Sequence, residues 1–69
     1  MIIPRIGEIW NNLQENALYL IMTDPFLGEV HVPEGEELAW LVKIKHVREG
    51  WELHWRTINF DPSIWERIA

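Results

Sequence analysis

The sequence contains no cysteine. That absence removes disulfides, thiolate metal sites and cysteine nucleophiles together. A chain of 69 residues is near the lower size limit for folding without such staples, so its stability must come from packing. Basic residues are also scarce: six Lys and Arg stand against eleven Asp and Glu, for a net charge of −5. General attraction to nucleic acid or to an anionic membrane is not expected of such a chain. No apolar run approaches the roughly 20 residues of a membrane-spanning helix. The opening Met1-Ile2-Ile3-Pro4-Arg5 lacks the basic-then-apolar order of a secretory leader. No internal repeat or low-complexity segment is present. The expectation is one domain spanning 1–69, located in the cytoplasm.

Aromatic residues are abundant by contrast. Five Trp, two Phe and one Tyr each offer roughly 150–250 Å² of burial, and they are the material from which so small a core is built. The stretch 38–58 shows the clearest pattern. Leu38 to Val47 and Trp51 to Ile58 form two alternating arms around Arg48-Glu49-Gly50, a β-hairpin with Gly where a positive φ is required. Alternation fixes its faces, because a slip of one residue reverses every side chain. A two-residue loop, or a four-residue loop of the same parity, gathers Trp40, Val42, Ile44, Leu53 and Trp55 on one face. Lys43, Lys45, Glu52, His54 and Arg56 then share the other, with Leu41 and Ile58 near its end. A three-residue loop buries Lys43 and Lys45, at several kcal/mol each. Trp40 and Trp55 are thus the expected core pair.

Ahead of the hairpin, Ile6 to Trp10 reads as a first strand, Asn11 to Asn16 as a turn, and Ala17 to Thr23 as a central strand ended by Asp24-Pro25. Residues 24–37 read as a long acidic loop containing Pro25, Gly28, Pro33 and Gly35, in which Glu29 to Val32 forms either a short strand or an extended lip. Past the hairpin, Asp61-Pro62 signals a short helical turn through Ile64, followed by a closing strand Trp65 to Ile68. A two-turn helix running on through Arg67 is the alternative.

This order of elements resembles the small SH3-like barrel: all-β, five antiparallel strands, a long early loop, a tight distal hairpin and a helical turn before the last strand. Gly7-Glu8-Ile9-Trp10 and the closing Phe60…Trp65-Glu66-Arg67-Ile68 also resemble short phage and bacterial proteins of unknown function that open with a Gly-x-Val/Ile-Trp strand. The resemblance implies a fold and a binding role, and carries no catalytic residue over. Ribonuclease toxins of the same barrel class share a Gly-containing first strand, but this chain lacks their basic residues.

No catalytic constellation is visible. There is no turn-borne nucleophile with Ser/His/Asp partners and no Gly-rich phosphate loop. Glu29 and His31 within one loop are too common a pairing to signal acid–base chemistry. His31, His46 and His54 lack metal-ligand spacing, so neither metal nor cofactor is expected. The expected function is a non-catalytic module that binds a protein with a basic surface, such as a phage-encoded inhibitor or adaptor of a host complex. The candidate contact residues are Glu29, Glu34, Glu36 and Glu37 in the acidic segment, with Tyr19, Trp10 and Trp51 as aromatic anchors. The alternative is nucleic-acid binding through Lys43, Lys45, His54 and Arg56 on the hairpin's outer face, extended by Arg48. A third reading makes the acidic loop an imitation of nucleic acid.

Overall fold

A computed structural model describes residues 2–69; Met1 lies outside the described residues. The chain is all-β. Its strands are β1 (Ile9–Asn12), β2 (Ala17–Ile21), β3 (Phe26–Val32), β4 (Gly35–His46), β5 (Glu52–Arg56) and β6 (Trp65–Arg67), with one 3₁₀ turn at Thr57–Asn59. All pairings are antiparallel and form a single six-stranded sheet that does not close into a barrel. The expected five-stranded barrel thus becomes six strands in an open sheet. Among the described residues β6 pairs with β1 and with no other strand, and the Trp55 and Trp65 rings meet across the gap to β5 with centroids 5.8 Å apart.

The strand β4 organises this sheet. Leu41 pairs with both Phe26 and Arg56, and Ile44 pairs with both Ile21 and Leu53, so β2 and β3 share one edge of β4 while β5 takes the other. Between β2 and β3 the chain steps aside at Met22–Pro25. The ladder survives that step because the Met22 N–H donates to the Lys43 carbonyl (2.8 Å) and the Lys43 N–H donates to the Thr23 hydroxyl (3.0 Å).

The β4–β5 register puts Lys45 opposite Glu52 and Val42 opposite Trp55, leaving the four-residue loop Val47 to Gly50. This is the four-residue alternative, with the expected faces preserved. The His46 carbonyl accepts from Gly50 N–H (2.7 Å), and Gly50 has φ +82°, which a side chain would strain.

Three boundaries differ from expectation. β1 includes Asn11 and Asn12, read as turn, because Asn12 is buried and its side-chain oxygen accepts the Gln14 and Glu15 N–H groups, capping the loop from within the strand. The 3₁₀ turn precedes Asp61 rather than following it. Asp61 still organises a turn: its carboxylate accepts the Ser63 N–H and hydroxyl, its carbonyl accepts from Ile64 and Trp65, and Trp65 then enters β6 as expected. The largest change is at 24–37: the short strand offered for Glu29 to Val32 is there but runs from Phe26, and only Asp24-Pro25 and Pro33-Glu34 stay outside strands. Its residues are the arms of a third hairpin, β3–β4, joined at Pro33-Glu34. Alternate residues of β3 bond across to β4, which a solvated loop of this length would forgo.

The core is an aromatic chain. Trp10 meets Phe60 edge-on (5.6 Å), Phe60 stacks on Trp65 (4.6 Å), and Trp65 meets Tyr19 (5.4 Å). Ile21, Val42 and Ile44 fill the space beside them. Glu8 locks the N-terminal arm over this core: its carboxylate accepts from the Arg5 N–H (2.7 Å) and the Trp10 indole (3.1 Å) and pairs with Arg67 (3.3 Å). The Trp55 and Trp65 indole N–H groups are buried with no acceptor among the described residues. Trp55 does join the core margin, but Trp40 is 57% exposed and is not its core partner. β5 pairs with β4 only from Leu41 to Lys45, so Trp40 lacks the cross-strand neighbour that Val42 has in Trp55 and Ile44 has in Leu53. Urea denaturation should therefore separate the tryptophans: Trp65→Ala should cost about 3–5 kcal/mol, and Trp40→Ser less than about 1 kcal/mol.

Candidate functional site

Register decides what the β3–β4 ribbon presents. Phe26, Gly28, Val30, Glu37, Ala39 and Leu41 share one face, and Leu27, Glu29, His31, Glu36, Leu38 and Trp40 share the other. On the first face Phe26 lies against Leu41 and meets the His54 ring edge-on (5.5 Å). Gly28 permits this: a Cβ there would lie 2.8 Å from Leu41 Cδ1 and 3.2 Å from Phe26 Cε2. The ribbon is thus anchored by Phe26, not by Leu27.

The second face continues the face of β4 that carries Val42 and Ile44, yet among the described residues it stays largely open to solvent. Leu27, opposite Trp40, is 53% exposed, and Leu38 is 63% exposed. Two shallow depressions flank Trp40. One is lined by Ala39, Arg56, Thr57 and Ile58, the other by Ile3, Arg5, Pro25 and Thr57. Ile3 and Ile58 are themselves exposed. The result is a patch of large apolar side chains, and patches of this kind on small proteins mark interaction sites more often than single exposed residues do. The patch is electrostatically polarised. Arg5 sits at its base, while Glu29 and Glu36 flank the strands toward the tip, where Glu34 lies in the turn. Asp24, Glu29, Glu34, Glu36 and Glu37 are joined by no Lys or Arg within 24–37.

The sequence-derived candidates fall into three groups. Glu29, Glu34, Glu36 and Glu37 are exposed, but they divide between the faces: Glu37 turns away from Glu29 and pairs with Arg56 at 2.9 Å. Trp10 and Tyr19 are corrected, since both are core residues, 4% and 2% exposed. β1 pairs along its full length with β2, and Phe60, Trp65 and His46 close over the two rings. Trp51 is exposed, but it stands far along the chain fold from the ribbon: its ring lies against His46 (4.9 Å) and Tyr19 (5.7 Å), and its indole donates to Glu49 (2.8 Å). His46 accepts the Glu49 N–H at Nδ1 (3.0 Å), so its ring is a turn-forming group at the core rim.

The basic residues do share the outer face of β4–β5, with Lys43 opposite His54 and Arg56 opposite Leu41. Their charge is partly answered within the sheet, because Lys43 pairs with Glu52 (3.1 Å) and Arg56 with Glu37. Among the described residues no group of three or more His, Asp or Glu is placed to hold a metal ion, and no helix is long and apolar enough to cross a membrane.

The residues missed by sequence reasoning are Leu27, Leu38, Trp40, Ile3 and Ile58. A signal for the ribbon did exist. Val32-Pro33-Glu34-Gly35 has Pro at the second and Gly at the fourth position of a turn, between two arms of extended sequence. No signal marked where β5 would stop covering β4. Comparison with protein-family models, with curated proteins and with solved structures found no match to this chain.

Tyr19, the single tyrosine, gives a chemical check on this assignment of core and surface. Burial, together with the hydroxyl's bonds to both Glu15 oxygens (3.0 and 2.8 Å) and the charges of Glu15 and Glu49, pushes its pKa from 10.0 to about 12. A pKa raised in the folded state means that the Tyr19 contribution to stability is complete below pH about 10 and is lost as pH rises toward 12. Absorbance titration of the tyrosinate should give a midpoint near 12 in the folded chain, and Glu15→Gln should lower it. A midpoint at the ordinary value would place Tyr19 at the surface after all.

Proposed function

We propose that this chain is a non-catalytic protein-binding module and that it docks its partner on the open face of the β3–β4 ribbon. The single observation that carries this reading is the exposure of Trp40 in line with the buried Val42 and Ile44 of the same strand face. Holding an indole in water where the next residues along the face are core forgoes roughly 25 cal/mol for each Å² of apolar surface left uncovered. A partner recovers that energy on binding. Tryptophan is among the commonest anchors of binding hot spots, and neighbours such as Leu27, Leu38 and Ile58 serve to exclude water around it.

The carboxylates select the partner. Glu29, Glu34 and Glu36 lie on or beside this face toward the ribbon tip, so the complementary surface is apolar opposite Trp40 and basic opposite the tip. Such charge complementarity mainly speeds association and rejects acidic surfaces. An inhibitor or adaptor of a larger complex fits a small module of this kind, built as an SH3-like sheet whose ribbon extends past its core. The nucleic-acid alternative draws less support, because Lys43 and Arg56 already have carboxylate partners on the outer face.

Affinity capture from the native host, with the immobilised chain compared against Trp40→Ser and Leu38→Ser, tests the reading. The expected outcome is a partner with a basic surface that the unaltered chain retains and the variants lose at least tenfold, with thermal stability of the variants preserved. Identical capture by all three chains would remove the ribbon face as the docking site.

A further inference from the structure

Resting on that docking face, we infer how the partner engages it: an extended basic segment adds as a further strand to the free edge of β3.

The hydrogen-bonding direction of each residue follows from the ladders. His46 N–H donates to Trp51, so even-numbered residues of β4 direct their backbone groups to β5. Lys43, an odd one, directs both of its groups to the other edge, toward Met22 and Thr23. Continuing along β4, Leu41, Ala39 and Glu37 bond across to Phe26, Gly28 and Val30. The backbone N–H and C=O groups of Leu27, Glu29 and His31 therefore point away from β4. β3 ends the sheet on this side, and no other backbone partner meets it among the described residues. Three consecutive outward residues offer three donors and three acceptors in a row, the template on which an extended peptide adds to a sheet.

The same three residues place their side chains on the face of Trp40 and Leu38, so an added strand would extend the docking face rather than approach it from behind. Their order specifies the segment. Antiparallel addition, the more stable pairing, puts one partner residue directly opposite each outward residue. A Lys or Arg opposite Glu29 and an aliphatic or aromatic residue opposite Leu27 give a recognised pattern of basic–x–apolar, read from the partner's N-terminus. A second copy of this chain is the poorer occupant of the edge. Segment 24–37 carries five carboxylates and no Lys or Arg, so two ribbons set side by side repel.

Amide hydrogen exchange read by NMR tests this on the whole chain, using the blocked peptide Thr-Thr-Val-Lys-Val-Leu-Thr and a control in which Glu replaces its Lys. The free chain should sediment as a monomer, with fast exchange at Leu27, Glu29 and His31 and slow exchange at Gly28 and Val30. The Lys peptide should bind with Kd between about 10 μM and 1 mM and slow the three outward amides roughly tenfold or more, with the inner amides unchanged. The Glu peptide should bind at least about tenfold more weakly. His31→Pro removes one outward donor, which an edge strand tolerates, and should weaken binding of the Lys peptide where His31→Val does not.

Binding of the Lys peptide without protection at Leu27, Glu29 and His31 would overturn strand addition while leaving the ribbon face as a docking site. No binding of that peptide up to about 1 mM would overturn the basic–x–apolar specificity. A dimer of the free chain with those three amides already protected would assign the edge to a second copy instead. The capture experiment with Trp40→Ser fails or succeeds independently of all three.

Discussion

Every strand but β1 and β6 is hydrogen-bonded to β4, and β4 is longer than anything that pairs with it. Its 12 residues need β5 on one edge and both β2 and β3 on the other, in succession. Around its second half the sheet can curl, bring Trp55 against Trp65, and bury Val42 and Ile44 from both sides. Around its first half β3 is the one strand paired with it among the described residues. The two halves obey the same alternation of side chains but have different surroundings, and the chain's division into a packed core and an open ribbon follows from that mismatch in length.

The mismatch raises the question of how the ribbon stays ordered, since an isolated two-stranded hairpin is at best marginally stable in water. The answer lies on its other face. Phe26 and Leu41, drawn together over the bare Cα of Gly28, form a small second cluster that His54 closes, and the Glu37–Arg56 pair ties the ribbon to the end of β5. An exposed ion pair of this kind contributes no more than about 1 kcal/mol, so the apolar cluster is the main anchor. Because this anchoring uses only one face, Leu27, Leu38 and Trp40 on the opposite face remain available. Support and presentation are carried out by the two parities of the same strands.

What was legible in the sequence tracks how local the determining physics is. The faces of the β4–β5 hairpin were readable because Val42 and Ile44 alternate with Lys43 and Lys45, and burying two ammonium groups is too costly for any other parity. The β6 strand was readable in part: Asp61-Pro62 marks a turn after which a short closing strand can begin at Trp65, although a helix through Arg67 fitted the same signal. The β3–β4 hairpin was hidden by its own charges: five carboxylates in 24–37 read as solvated loop, although alternating Glu residues are equally suited to an exposed strand. The state of Trp40 was not readable at all. Alternation places it on the core face, but its burial depends on where β5 ends, which is set by the turn at Thr57–Asn59 and by tertiary packing. Trp10 and Tyr19 failed as surface anchors for the same reason in reverse, since residues distant in sequence close over them.

The central claim is that the core face of β4 runs into solvent at Trp40, and fluorine NMR of the chain labelled with 5-fluorotryptophan tests it most directly. Each tryptophan then gives its own resonance, assigned by Trp→Phe replacement one at a time. Transfer from H2O to D2O should shift the Trp40 and Trp51 signals and leave those of Trp10 and Trp65 in place. A Trp40 resonance as insensitive to solvent as that of Trp65 would mean the face is covered, and would contradict the account.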